Sequence, residues 1–196
     1  RWCKCIQRFT PIDERLAFLD ITIHKKPLRI ITAYFPHSGY SDPHIQRMYD
    51  KLTTLKEEAR HQQRQTIITG DFNAQVGSQK DGENKRTSGA YGMDTSNARG
   101  EWLKTWAGTQ HLIITNTHFQ KKLDNILTYT GPNKIPHQLD YILVTTQLWK
   151  SVTNAQSTSC PDLGSDHRPV EIRLRISSKH RKQRTTSTKP TNRARW

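Results

Sequence analysis

The residues best placed to do chemistry stand at Gly70-Asp71-Phe72-Asn73, where the apolar run Thr66-Ile67-Ile68-Thr69 ends. A buried strand that stops on a carboxylate and an amide sets polar groups where burying them is costly. Side chains alternate along a strand, so Asp71 and Asn73 are expected on one side and Phe72 on the other, in packing. Gly70 lets the backbone turn at the strand end. A carboxylate and an amide side by side on a rigid edge can hold a metal ion or orient a water. Taken alone, the four residues also fit a strand-to-turn junction in which Asp71 and Asn73 satisfy nearby backbone groups.

Three other stretches set polar groups at strand ends. Gln138-Leu139-Asp140-Tyr141-Ile142 opens a buried strand with a carboxylate. Leu163-Gly164-Ser165-Asp166-His167-Arg168-Pro169 brings an acid and an imidazole together before the last strand, although His167 alone also fits a satisfied loop histidine. Tyr34 closes an early strand with a phenol.

The elements that must carry these groups follow from periodicity. Ala17, Leu19, Ile21 and Ile23 alternate on one face of a strand over 15–23, and 28–34 is a second strand, joined to it through Lys25-Lys26-Pro27. Asp42 is expected to cap a helix with Pro43 at its first position. Ile45, Met48, Tyr49, Leu52 and Leu55 form its buried stripe, and its end is expected to fray through 57–65. Residues 74–96 read as a long surface loop. Ser96 or Asn97 caps a second helix through Trp102, Leu103 and Trp106. Further strands are expected over 112–116, 127–129, 139–144 and 169–176, the last with Val170, Ile172, Leu174 and Ile176 inward. At the start, Trp2, Ile6 and Phe9 read as core residues. Strands covered by a few helices predict an α/β sandwich of two mostly antiparallel sheets.

The formal net charge of the 196 residues is +14. Residues 177–196 carry seven Lys or Arg and no acid, so half of the excess lies in the tail and +7 remains on the body. That balance favours a polyanionic partner such as nucleic acid. The tail lacks the apolar content to fold alone and reads as a disordered segment or linker, and Lys179–Arg184 as a nuclear targeting cluster. Three cysteines cannot build a disulfide framework, and their sparse, odd number points to a reducing, intracellular setting. No apolar stretch approaches the roughly 20 residues of a membrane span, which argues against a membrane partner.

Gly70-Asp-Phe-Asn73, Gln138-Leu-Asp140-Tyr-Ile and Ser165-Asp-His167-Arg-Pro, in this order, resemble the endonuclease/exonuclease/phosphatase superfamily. The stretches 90–100, 114–119 and 127–130 are similar to its apurinic-like endonucleases of non-LTR retrotransposons and to host craniofacial development protein 2-like relatives. The resemblance spans roughly residues 10 to 176 and implies a DNase I-like, four-layered α/β sandwich. It implies an endonuclease that cuts DNA phosphodiesters with Mg²⁺ or Mn²⁺, next to a reverse transcriptase domain in a longer polyprotein.

Roles follow by the same resemblance. Asp71 positions or activates the attacking water, and Asn73 orients it or the phosphate. His167 contacts the scissile phosphate, Asp140 sets its tautomer, and Tyr34 donates to a phosphate oxygen. Asp166 helps with the metal or the leaving oxygen. Thr128, Tyr129, Asn116 and Arg168 lie where relatives contact nucleic acid. The types make sense because a phosphodiester is an anion that repels hydroxide, so its charge must be offset while one group prepares the water. The family's first strands carry an Asn and a metal-binding Glu with no counterpart here, and Glu14 and Glu57 stand in other contexts. The expectation is a domain over 1–176 that lacks its first strands, binds metal weakly and leaves sheet edges unpaired. Two rival readings are a phosphatase of the same fold and a non-catalytic nucleic-acid-binding remnant.

Overall fold

A computed structural model of the chain describes residues 3–37, 39–79, 86–93, 96–159 and 164–176. The basic tail with its Lys179–Arg184 cluster, Trp2, Cys160 and parts of the 74–96 loop lie outside the described residues.

Six strands form one sheet in the order β1-β2-β3-β4-β8-β5. They are β1 (Ile6–Asp13), β2 (Leu16–Ile23), β3 (Lys26–Tyr34), β4 (Gln65–Asp71), β5 (Leu112–Ile114) and β8 (Asp140–Thr145). β2 and β3 are a tight hairpin whose His24 and Lys25 both take positive φ, 48° and 65°, which suits the twist of the flanking strands. β3 and β4 are parallel, so a crossover must join them, and helix α1 (Asp42–His61) supplies it. All other pairs in the sheet are antiparallel.

Alternation then assigns the two faces. Ile31, Ala33, Ile68, Tyr141 and Leu143 join Ile45, Met48, Tyr49, Leu52 and Leu55 of α1, and Leu103 and Trp106 of α2 (Ala98–Thr109), in one core. The residues between them, such as Ile67, Ile142 and Val144, meet a second core. There the two-stranded antiparallel sheet of β9 (Val152–Ser157) and β10 (Val170–Leu174) packs Val170, Ile172 and Leu174 against the large sheet. The described residues thus form helices, a large sheet and a small sheet in three layers, an α/β sandwich. A two-residue ribbon of β6 (Tyr129–Thr130) and β7 (Pro136–His137) and the short helix α3 (Thr146–Trp149) complete the elements.

Several expectations are corrected. Residues 6–13 form the edge strand β1, and Ile6 and Phe9 are 49 and 65% exposed instead of in the core, because an edge strand has a neighbour on one side only. Ser41, not Asp42, is the N-cap of α1, and the helix runs on to His61 instead of fraying from Glu57. Arg29, with 0% exposure, explains that extension. It donates to both carboxylate oxygens of Asp20 and to the Leu55 carbonyl, Glu58 and Gln62, so it ties the last turns of α1 to the sheet. Strand 112–116 stops at Ile114 and continues as a 3-10 turn, Thr115–Thr117. β9 has no counterpart in the sequence pattern, since Val-Thr-Asn-Ala-Gln-Ser carries too little apolar content to show a strand period.

Candidate active site

Sheet register alone gathers the chemistry. Tyr34 at the end of β3 is the parallel partner of Asp71 at the end of β4, and Asp71 is the antiparallel partner of Asp140 at the start of β8. Cross-strand partners project to the same face. Here it is the face of the small sheet, because their chain neighbours Ala33, Phe72 and Tyr141 are in the helix-side core. A phenol and two carboxylates therefore stand in a row at one sheet end. His167, three residues before β10, reaches the row from the layer above, so the site lies where the two sheets meet.

Gly70 shapes the strand end. Its φ is +144°, and a Cβ there would lie 1.9 Å from the Ala33 carbonyl oxygen. After Asp71 the strand is over. Asn73 takes a left-handed φ of 47°, so strand alternation does not bring it beside Asp71, contrary to the sequence expectation. Hydrogen bonds do. One Asp71 oxygen accepts the Asn73 backbone N–H at 2.8 Å, and the Asn73 amide donates to the Phe35 carbonyl at 2.8 Å and to the other Asp71 oxygen at 3.2 Å. The junction reading holds: Asn73 is spent on the Phe35 carbonyl and on orienting Asp71.

Asp140 and His167 form a close pair, Oδ2 to Nδ1 at 2.9 Å. A carboxylate only accepts, so the shared proton sits on Nδ1 and Nε2 is left to face the row. Nε2 lies 4.0 Å from Asp71 Oδ2, too far for a direct hydrogen bond. The His167 segment is stitched to the β6 ribbon. The backbone N–H groups of Thr130 and Arg168 donate to the carbonyls of Asp166 and Thr128, and the Tyr129 ring lies 4.8 Å from the imidazole.

Two groups expected to touch nucleic acid are interior instead. Thr128 is fully buried, and its hydroxyl accepts the N–H groups of Leu139 and Asp140 at 2.9 and 3.0 Å. Asn116, 4% exposed, donates to the Asp140 carbonyl and accepts the Ile142 N–H, taking over the pairing of β8 where β5 stops. Both fix the start of β8, and so Asp140, from below. Sequence inspection missed this because a buried cap and a surface contact use the same residue types. Tyr129 is half-buried against His167 and His137. Arg168 holds the Asp124 carbonyl at 3.0 Å.

Burial, with the Asp140 charge added, pushes the Asp71 carboxyl up to about 6, against the pull of the Asn73 N–H and His167. Asp140 is also raised by burial, while bonds from the Thr128 hydroxyl and His167 pull it back. A carboxylate with a pKa near neutrality is suited to accept a proton from water at pH 7. A divalent cation fits these residues poorly. Among the described residues no group of three or more His, Cys, Asp or Glu converges on one point. Both Asp71 oxygens are engaged by Asn73 and Asp140 by His167, while Asp166 is exposed beyond them.

The profile of the endonuclease-reverse transcriptase family matches residues 28–171, which contain the whole row and His167. Craniofacial development protein 2 of Bos taurus is 31% identical over 164 residues, which is 82% of this chain and 27% of that protein. The chain thus spans under a third of the length of the curated relatives it matches. In fold it is similar to the endonuclease domain of TRAS1, a telomere-specific non-LTR retrotransposon, with a TM-score of 0.57 and 16% identity over 83% of this chain and 64% of that one. It is also similar to the 3′ phosphatase NExo from Neisseria bound to a product DNA hairpin, with a TM-score of 0.60 and 15% identity over 87% and 72%. With the motifs in order, on the matched strands, the chain belongs to the endonuclease-reverse transcriptase family of the endonuclease/exonuclease/phosphatase superfamily.

Proposed function

We propose that the chain carries a hydrolytic site for DNA phosphodiesters, of the endonuclease type that nicks a target strand. The observation that carries this reading is the separation of the two carboxylates into different tasks: Asp140 is bound to His167, while Asp71, raised to about 6, faces Nε2 across 4.0 Å. In the proposed step the Asp71 carboxylate takes a proton from water as its oxygen attacks phosphorus. The bond to the leaving oxygen breaks, and that oxygen takes its proton from solvent. His167 donates from Nε2, when protonated, to a non-bridging phosphate oxygen, with Asp140 holding the ring. Tyr34 offers a hydroxyl to the same phosphate. Net charge supports a polyanionic substrate, and DNA is what the NExo relative is bound to. A need for Mg²⁺ or Mn²⁺ belongs to the proposal through family resemblance, since the described side chains do not make a ligand set.

Supercoiled plasmid with added Mg²⁺ or Mn²⁺ provides the test. Nicking is expected, lost with a chelator, and lowered at least about 100-fold by Asp71→Ala or His167→Ala. Nicking that survives both substitutions would refute the assignment of the site. Phosphate release from monoesters without nicking would move the protein to the phosphatase branch of the fold.

A further inference from the structure

The row at the sheet end does not stop at Tyr34. Leu16 of β2 is the register partner of Ala33, so Arg15 lies beside Tyr34, and the Tyr34 N–H donates to the Arg15 carbonyl at 2.8 Å. The order across the sheet is thus Asp140, Asp71, Tyr34, Arg15. The Arg15 guanidinium sits 5.1 Å from the Tyr34 ring centre and 5.4 Å from that of Tyr40, and donates to the Tyr40 hydroxyl at 3.4 Å. Tyr40 is clamped from behind: Arg99 donates to its carbonyl at 3.0 Å, and His37 and His44 meet its ring edge-on at 4.9 and 5.9 Å. Yet the two tyrosines stay 51 and 37% exposed. A 480 Å³ cavity opens beside Tyr40, lined further by Arg47 of α1 and by Lys51, which is paired with Asp13 at 2.6 Å, with Glu14 at its edge.

We propose that Tyr40, with Arg15 packed between it and Tyr34, is a stacking platform for an unpaired base of the substrate strand. The inference rests on the nucleic-acid reading above and extends it to a subsite. The guanidinium takes one side of the Tyr40 ring, which leaves ring surface for a base, and a base has a π-face whatever its identity. Fixed tyrosines lose little freedom on binding, unlike flexible surface side chains. Two strand spacings separate Arg15 from Asp71, about 10 Å, or the rise of about three stacked nucleotides. The stacked base therefore lies two to three nucleotides from the phosphate at Asp71 and His167. Arg15 is a positioning residue that holds the rings apart, and Arg47 offers a charge for the adjoining backbone.

The test uses the full chain and single-stranded oligonucleotides with 2-aminopurine placed at successive positions. Wild-type protein is expected to quench the probe at one or two adjacent positions. Tyr40→Ala loses that quenching and weakens binding about tenfold, whereas Tyr40→Phe keeps both. Arg15→Lys, which retains the charge but not the planar guanidinium, resembles Tyr40→Ala in quenching. Thermal melts of each variant establish that it is folded. Quenching and affinity unchanged in a folded Tyr40→Ala would overturn the platform, even if plasmid nicking succeeds. Quenching in a protein that never nicks would support the platform and remove only the catalytic reading.

Discussion

Asp71 sits at a compromise between stability and reactivity. Its carboxyl titrates at about 6 in the folded chain against an ordinary value of 3.8. Between those pH values the folded state holds more proton than the unfolded one, so stability falls as pH rises through the window. Asp71→Asn cannot ionise. Its stability relative to wild type is expected to improve by about 1–2 kcal/mol from pH 4 to pH 8, the full shift being discounted for partial exposure. Urea melts at the two pH values measure this, and a constant difference would refute the raised carboxyl. The same ionisation should appear in catalysis with the opposite sign. If Asp71 is the base, kcat/KM for nicking rises with pH to a plateau above about pH 6. A profile flat between pH 5 and 7 would assign the base elsewhere.

At the scale of elements, precision comes from two backbone devices under the row. Thr128→Val keeps the shape of a fully buried side chain but leaves the N–H groups of Leu139 and Asp140 without their acceptor. Unsatisfied buried donors should cost about 2–4 kcal/mol and displace Asp140, lowering nicking, while Thr128→Ser keeps most of both. Chemical denaturation beside the plasmid assay checks the pair. A stable, active Thr128→Val would mean that the β8 start is held otherwise. Gly70→Ala drives a methyl group into the Ala33 carbonyl at a φ of +144°. The expected loss is on the order of 3 kcal/mol, read as a lowered Tm, with β3 and β4 forced apart next to Tyr34 and Asp71.

Over the whole molecule, the proposal assigns binding to charge as well as shape. Residues 177–196 hold seven of the positive charges and no acid. In the proposed nuclease their contribution to DNA affinity would be ionic and released by salt, at about 0.9 in the log–log slope for each phosphate neutralised. Deleting them should weaken binding at low salt and flatten its salt dependence, while kcat at saturating DNA stays near wild type. Titrations between about 50 and 200 mM salt measure this; an unchanged slope would place the binding charge on the body. Among the described residues no helix is long and apolar enough to cross a membrane.

The stretch with apolar alternation or a helical stripe was legible in the sequence, because burial imposes those periods directly. So α1 and α2 with its Asn97 cap, which accepts the Gly100 N–H at 2.8 Å, match their signals, as do β2, β3, β8 and β10. Residues that the motifs single out also lie together: Asp71, Asp140 and His167 converge, and Tyr34 stands in their row. What no local pattern holds is register. Only the pairing of four strands puts Arg15 in line with Asp140, and only burial tells that Thr128 and Asn116 support the site from inside. Phe9 shows the same limit from the other side. An aromatic on a strand reads as core until the sheet order makes that strand an edge, since whether a side chain is covered depends on neighbours that are distant in the chain.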